Sequence, residues 1–200
     1  DTHLHTAYSV DAGAFGARLG PREAYLFAKG NEVTASSGQP AKLRRPLDFL
    51  VVADHSDAMG LFPMLLEGAP EVMGDPQGKK WHEMITGGKG TISKAFLPLP
   101  GTEAYASAWK ATIDAAEEAN DPGRFTAFIG FEWTSNTGGN NLHRNVIFRD
   151  NGDKAGQVEP FTVYPPNGSD NPRDLWKWMA AYEEKTGGSV LAIAHNGNLS

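Results

Sequence analysis

The sequence predicts an α/β fold, a mostly parallel sheet with helices packed around it, best met by a barrel that is incomplete within these 200 residues. Short apolar runs recur, each ending in a polar turn that often bears a histidine. Amphipathic helical stretches fill the gaps between them, giving the order β, α, β, α, β, β, α, β. The chain has no internal repeat or low-complexity tract, and its 23 Gly and 13 Pro suit a loop-rich enzyme better than a helical bundle.

The elements follow in order. Residues 1–6 (DTHLHT) open the chain with a histidine pair. Pro21 at a first-turn position begins the helix PREAYLFAKG, and Gly30 closes it. Residues 47–53 (LDFLVVA) read as a buried strand that runs into Asp54-His55-Ser56-Asp57. A stretch of about 58–101, its core rich in Gly, Pro, Met and Lys, reads as an insertion or lid. Thr102 caps a helix with Tyr105, Trp109, Ile113 and Ala116 on one face, and Asp121-Pro122-Gly123 stops it. Residues 125–133 (FTAFIGFEW) and 142–148 are strands, the second with His143 near its start. Residues of about 151–170 form a long polar loop, Asn171 caps a helix begun by Pro172, and residues 189–194 (SVLAIA) end in His195-Asn196-Gly197-Asn198. On that last helix Trp176 is assigned to the core and Trp178 to an interface. Neither long stretch is a domain boundary, so residues 1–200 read as one domain.

Composition excludes several classes of function. Lys+Arg 18 against Asp+Glu 24 gives a net charge of −6, without the basic excess of a general nucleic-acid binder. No cysteine is present, which removes disulfides, thiolate metal sites and a cysteine nucleophile. No apolar stretch approaches the roughly 20 residues of a membrane span. The chain opens without Met and inside a candidate motif, so upstream sequence is expected; a leader there would make the protein periplasmic or secreted.

The chemistry-bearing residues gather at the strand ends. His3 and His5, two apart, project from one side of an extended segment and can grip one ion. Five of the six histidines (His3, His5, His55, His143, His195) stand at or beside strand ends, and the strands of a parallel barrel end at one face. Asp11, Asp54 and Asp57 stand close to His5 and His55 in sequence. Glu132 sits inside an apolar strand, where an acid needs a positive partner: a metal, or Arg144 or Arg149. The loop 134–141 with Gly138-Gly139 reads either as an anion cradle beside Arg144 or as a tight turn. His82 reads as a solvated helix residue. Imidazoles and carboxylates favour zinc, manganese or iron over calcium, and clustered ions of that kind generate hydroxide and stabilise displacement at phosphorus. The sequence has no GxSxG elbow, Walker loop or GxGxxG.

In their order these residues resemble the polymerase and histidinol phosphatase (PHP) superfamily of metal-dependent phosphoesterases. The match is closest to large bacterial PHP-like proteins grouped under a domain of unknown function, through DTHLHTAYSVDA, ADHSD, GFEWT and AHNG. The resemblance implies a distorted (β/α)7 TIM-like barrel with two or three metals at the C-terminal strand ends. Carried over by position, His3, His5 and Glu132 would hold the first metal, Glu132, His143 and His195 the second, and Asp11 and His55 a third. Glu132, His55 and Arg144 would serve the chemistry. Asp11 stands where some members have histidine, and the superfamily's final Asp-x-His pair has no counterpart before Ser200, so further chain is expected.

The expected function is hydrolysis of a small-molecule phosphate ester, or a sulfate ester, by a hydroxide bound to that metal cluster. Two alternatives stand beside it. One is an amidohydrolase-type C–N or C–O hydrolase; the other is a non-catalytic, metal-stabilised PHP-like domain.

Overall fold

A computed structural model describes residues 1–87 and 100–195. Part of the expected insertion (88–99) and the residues following His195 in the AHNG motif lie outside the described residues. The chain is mixed α/β. Strands β1 (Val33–Thr34) and β2 (Pro40–Ala41) form an antiparallel hairpin, β3 (Phe49–Val51) and β4 (Thr126–Phe128) a parallel pair, and β5 (Gly130–Trp133), β6 (Arg144–Phe148) and β7 (Val190–Ala194) a three-stranded sheet. Isolated parallel bridges Leu4↔Val52 and His55↔Glu132 join residues 1–5, 47–55 and 126–133 side by side. No closed barrel is present among the described residues.

Within the three-stranded sheet, β6 runs antiparallel to both neighbours, where the sequence suggests parallel strands. The reason is the connection. A parallel pair needs a crossover of roughly a dozen residues or more, usually a helix, and residues 134–143 close a hairpin instead. The reversal decides where His143 falls. At the start of a parallel strand it would lie at the far edge; at the start of the reversed β6 it joins the C-terminal ends of β5 and β7.

Period-2 alternation sorts the side chains into two faces. Leu50, Val52, Phe131, Trp133, Val146 and Phe148 belong to the main core. On the opposite face, the one that carries Glu132, lies a small apolar cluster of Val51, Ala53 and Ile147, with Phe128 against it. Gly130 allows the strands to close up there, since a Cβ would stand 2.5 Å from Val51 Cγ1 and 2.8 Å from the Val146 carbonyl.

The helices are α1 (Val10–Ala14), α2 (Pro21–Ala28), α3 (Leu61–Glu67), α4 (Pro70–Met73), α5 (Pro76–Thr86), α6 (Glu103–Ala119), α7 (Gly152–Ala155) and α8 (Pro172–Thr186). Thr102 caps α6 by accepting from Tyr105 N–H at 3.2 Å, and Tyr105, Trp109, Ile113 and Ala116 are buried. Asn171 caps α8 by accepting from Arg173 N–H at 3.0 Å, and Gly187 ends it with φ +63°. The two tryptophans of α8 exchange the places the sequence suggests: Trp178 packs on Phe131, Phe148 and Phe161, while Trp176 is 54% exposed. Leu175 fixes the phase, because its burial brings positions 178, 179 and 182 to the core and carries 176 about 100° away.

The described part of the insertion is three short helices, α3 to α5, with their own apolar cluster around Leu61, Leu65 and Val72. The stretch 151–170 is tied down rather than free. Its Val158 and Phe161 carbonyls accept from Trp109 Nε1 and Ser56 Oγ, and Val163 N–H donates to Asp57. No helix among the described residues is long and apolar enough to cross a membrane.

Candidate metal centre

The singled-out residues sit along one edge of the face opposite the main core, each two positions from another residue of that face. His3 and His5 follow one another on the first segment, His55 follows Ala53, Glu132 follows Gly130, His143 precedes Asn145, and His195 follows Ile193. The five imidazoles form a closed ring. Successive centroids are 4.9 Å (His3–His5), 4.6 Å (His5–His55), 6.2 Å (His55–His143), 5.4 Å (His143–His195) and 4.2 Å (His195–His3) apart.

Glu132, 1% exposed, lies at the centre of that ring. Its Oε2 faces His3 Nε2 at 3.1 Å and His5 Nε2 at 2.9 Å; its Oε1 faces His143 Nδ1 at 2.7 Å, His195 Nε2 at 3.3 Å and His55 Nδ1 at 3.9 Å. The two oxygens therefore divide the histidines between them. Burial pushes the Glu132 carboxyl up, but the close imidazoles of His5, His55 and His143 outweigh it and hold it well below the usual range. Desolvation dominates at His3 and His143 and lowers both, favouring neutral rings with lone pairs to offer.

Asp11 stands at the exposed rim, its Oδ2 3.3 Å from His55 Nε2. The hydrogen bond from His55 holds its carboxyl down at about 2. Ligand atoms of His3, Glu132 and His195 lie within 4.8 Å of one another, and so do those of His5, Asp11 and His55. These are two groups that can hold a metal ion, and they cut across the sets implied by the resemblance, with His195 nearest His3 and His5 joining the Asp11 group.

The donor set fits a divalent ion. Neutral imidazole and carboxylate suit zinc, manganese or iron. His143 is buried, yet neither ring nitrogen makes a well-aligned hydrogen bond among the described residues, despite the short approach of Nδ1 to Glu132. With Nδ1 turned to Glu132, the buried Nε2 is left unmatched, which is costly unless a cation meets it.

Arg144 has a different place from the one the sequence suggests. It pairs with Trp133 in the ladder and so lies on the face away from Glu132, and its Nη1 donates to the His143 carbonyl at 2.7 Å. Among the described residues Glu132 has no arginine partner. The loop with Gly138-Gly139 is a tight turn, with φ +62° and +83°, and Gly139 and Asn140 N–H are spent on the carbonyls of Asn136 and Thr137.

Three supporting residues are not singled out as such by the sequence. Thr134 Oγ1 contacts His55 Nδ1 and donates to Glu132 Oε1 at 3.3 Å. Ser9 and Asp54 lie behind His5. Asp54 accepts from Thr6 N–H and Thr6 Oγ1 at 2.6 Å each and from Ser9 Oγ at 2.9 Å. Burial pushes the Asp54 carboxyl up, against those hydrogen bonds. Asp54 is visible in the sequence beside His55; the hydroxyls carry no signal, because serine and threonine are common in turns for other reasons.

The whole chain, residues 1–200, matches the model of a family described as "Protein of unknown function (DUF3604)". The chain belongs to that family. No curated protein and no solved structure matches it. Membership in DUF3604 assigns no reaction, so the chemistry rests on the site itself.

Proposed function

We propose that this DUF3604 protein is a metal-dependent hydrolase of PHP type, acting on small phosphate esters, with sulfate esters the second choice. The observation that carries the reading is a single buried carboxylate with both oxygens inside a ring of five imidazoles. The order of the motifs supports the superfamily. The curl of the strands, tight enough for Asn145 Nδ2 to donate to the Thr2 carbonyl at 3.0 Å, supports a barrel.

The residues that would hold two or three ions are His3, His5, Asp11, His55, Glu132, His143 and His195. When bound, zinc, manganese or iron supplies Lewis acidity, activation of water and positive charge for a transferring phosphoryl group. The chain supplies the rest. Glu132, buried, presents one oxygen to His3 and His5 and the other to His143 and His195, so it would serve two ions at once. His55 Nε2, beside Asp11 at the open rim, is the atom placed to hold a proton when it is not a ligand. Arg144 steadies the backbone of His143.

The test is a panel of phosphomonoesters, small phosphodiesters, sulfate esters, amides and lactones, run on protein stripped with a chelator and reloaded with manganese or zinc. Metal-restored cleavage of a phosphate or sulfate ester is expected, insensitive to serine- and thiol-directed reagents. Cleavage of amides or lactones alone would replace the reading with an amidohydrolase. Folded, metal-loaded protein that cleaves nothing would leave a structural metal site.

A further inference from the structure

We infer that Ser9 is a positioning residue that holds His5 in its Nδ1–H form, so that the Nε2 lone pair is aimed at Glu132 and the metal centre. Its purpose rests on the metal-centre reading above; its geometry does not. Ser9 is fully buried and follows His5 by four residues, in a turn closed by Ser9 N–H donating to the Thr6 carbonyl at 3.1 Å. Three polar atoms surround its hydroxyl: His5 Nδ1 at 2.7 Å, Asp54 Oδ1 at 2.9 Å and the His55 backbone nitrogen at 3.0 Å.

A hydroxyl has one hydrogen to give and two lone pairs to receive with. The His55 N–H can only donate, so it takes one lone pair. The Asp54 carboxylate is an acceptor on both oxygens, already receiving Thr6 N–H on Oδ1 and the Thr6 hydroxyl on Oδ2, so it takes the Ser9 hydrogen. One lone pair is left, and His5 Nδ1 must fill it by donating. A neutral imidazole carries a single ring hydrogen, which leaves Nε2 bare, 2.9 Å from both Glu132 Oε2 and His3 Nε2. The bare Nε2 of His5 and the Glu132 oxygen each present a lone pair at that distance and repel unless a cation, or a proton on His3 Nε2, meets them; a cation there is the arrangement of a ligand set. The same hydroxyl ties the backbone of His55 to the ring of His5, so one buried side chain sets two segments of the site. Outer hydrogen bonds of this kind fix the tautomer of a metal-binding histidine elsewhere in protein chemistry.

The experiment reads the tautomer in the metal-free protein. Long-range proton–nitrogen NMR spectra are recorded on ¹⁵N-labelled wild type, Ser9→Ala and Ser9→Thr at a pH where the ring is neutral, with His5 assigned from His5→Gln. Zinc affinity is measured in parallel by calorimetry. Wild type is expected to show Nδ1 protonated and Nε2 bare. Ser9→Ala should move His5 toward the Nε2–H form and weaken zinc binding by roughly 10- to 100-fold, and Ser9→Thr, which keeps the hydroxyl, should restore both. An Nε2–H ring in wild type, or an unchanged tautomer in Ser9→Ala, overturns the inference. If Ser9→Ala does not fold, the wild-type and Ser9→Thr spectra decide alone, since Nε2–H in either overturns it. Wild type that shows Nδ1–H but binds no zinc would remove the metal-centre reading and leave the tautomer assignment standing.

Discussion

Glu132 and His143 separate what the site needs for metal from what the fold needs. Among the described residues Glu132 carries the only carboxylate inside the imidazole ring, and if it bridges two ions as proposed, its loss would expose them to each other. Glu132→Gln keeps the shape and removes the charge, so metal affinity should fall at least as far as the roughly 100-fold of an outer-sphere change, with turnover lost and circular dichroism unchanged. Wild-type metal content in that variant would show that Glu132 does not bridge. His143 should matter more to the metal than to the fold. Its Nε2 is buried without a partner among the described residues, while its Nδ1 lies 2.7 Å from Glu132 Oε1, so His143→Phe removes one unmatched polar atom and one favourable contact, and the metal-free protein should stay within about 2 kcal/mol of wild type in urea unfolding while the stabilisation that zinc confers falls.

At the scale of elements, α8 shows how one residue of phase changes the cost of a substitution. Trp178 lies among Phe131, Phe148, Phe161 and Tyr182, whereas Trp176 faces outward. Trp178→Ala should cost about 3–5 kcal/mol, and Trp176→Ala should stay within about 0.5 kcal/mol. Urea unfolding of the two variants checks the contrast, and equal costs would mean that the helix is rotated from the position described. The hairpin of β5 and β6 is the second element-scale feature that shapes the candidate site. Reversal of β6 is what brings His143 to the edge occupied by Glu132 and His195.

For the whole molecule, the proposed metal and protons would compete for the same groups. An ion that binds only the folded chain adds about 2.7 kcal/mol at roughly 100 times its Kd. At His55, burial lowers the ring's affinity for a proton, but the Asp11 hydrogen bond and the Glu132 charge raise it above the ordinary 6.5. In metal-free protein that raised value stabilises the fold at pH below 6.5, and the contribution is lost as pH rises through the folded value. Ion binding runs the other way, since the proton must leave first. The gap in Tm between zinc-loaded and chelator-treated protein should therefore widen as pH rises through the region above 6.5. Thermal melts at a series of pH values check it, and a gap independent of pH would exclude His55 as a ligand.

Much of the site is legible in the amino-acid sequence alone, because ligand chemistry is carried by residue type. His3 and His5 share a face by their spacing, Glu132 stands out by its apolar neighbours, and the absence of cysteine limits the donors to nitrogen and oxygen. The helix limits at Thr102 and Asn171 are legible too, since capping is a local hydrogen bond. What tertiary structure decided was non-local. The direction of β6 follows from strand pairing, the faces of Trp176 and Trp178 from which side of α8 meets the sheet, and the place of Arg144 from the pleat of a strand whose partner had to be known first. The Ser9 hydroxyl belongs to the same class. Its role exists only once folding has brought Asp54, forty-five residues away, and the His55 backbone against it, because a hydroxyl's single hydrogen is directed by all of its neighbours together.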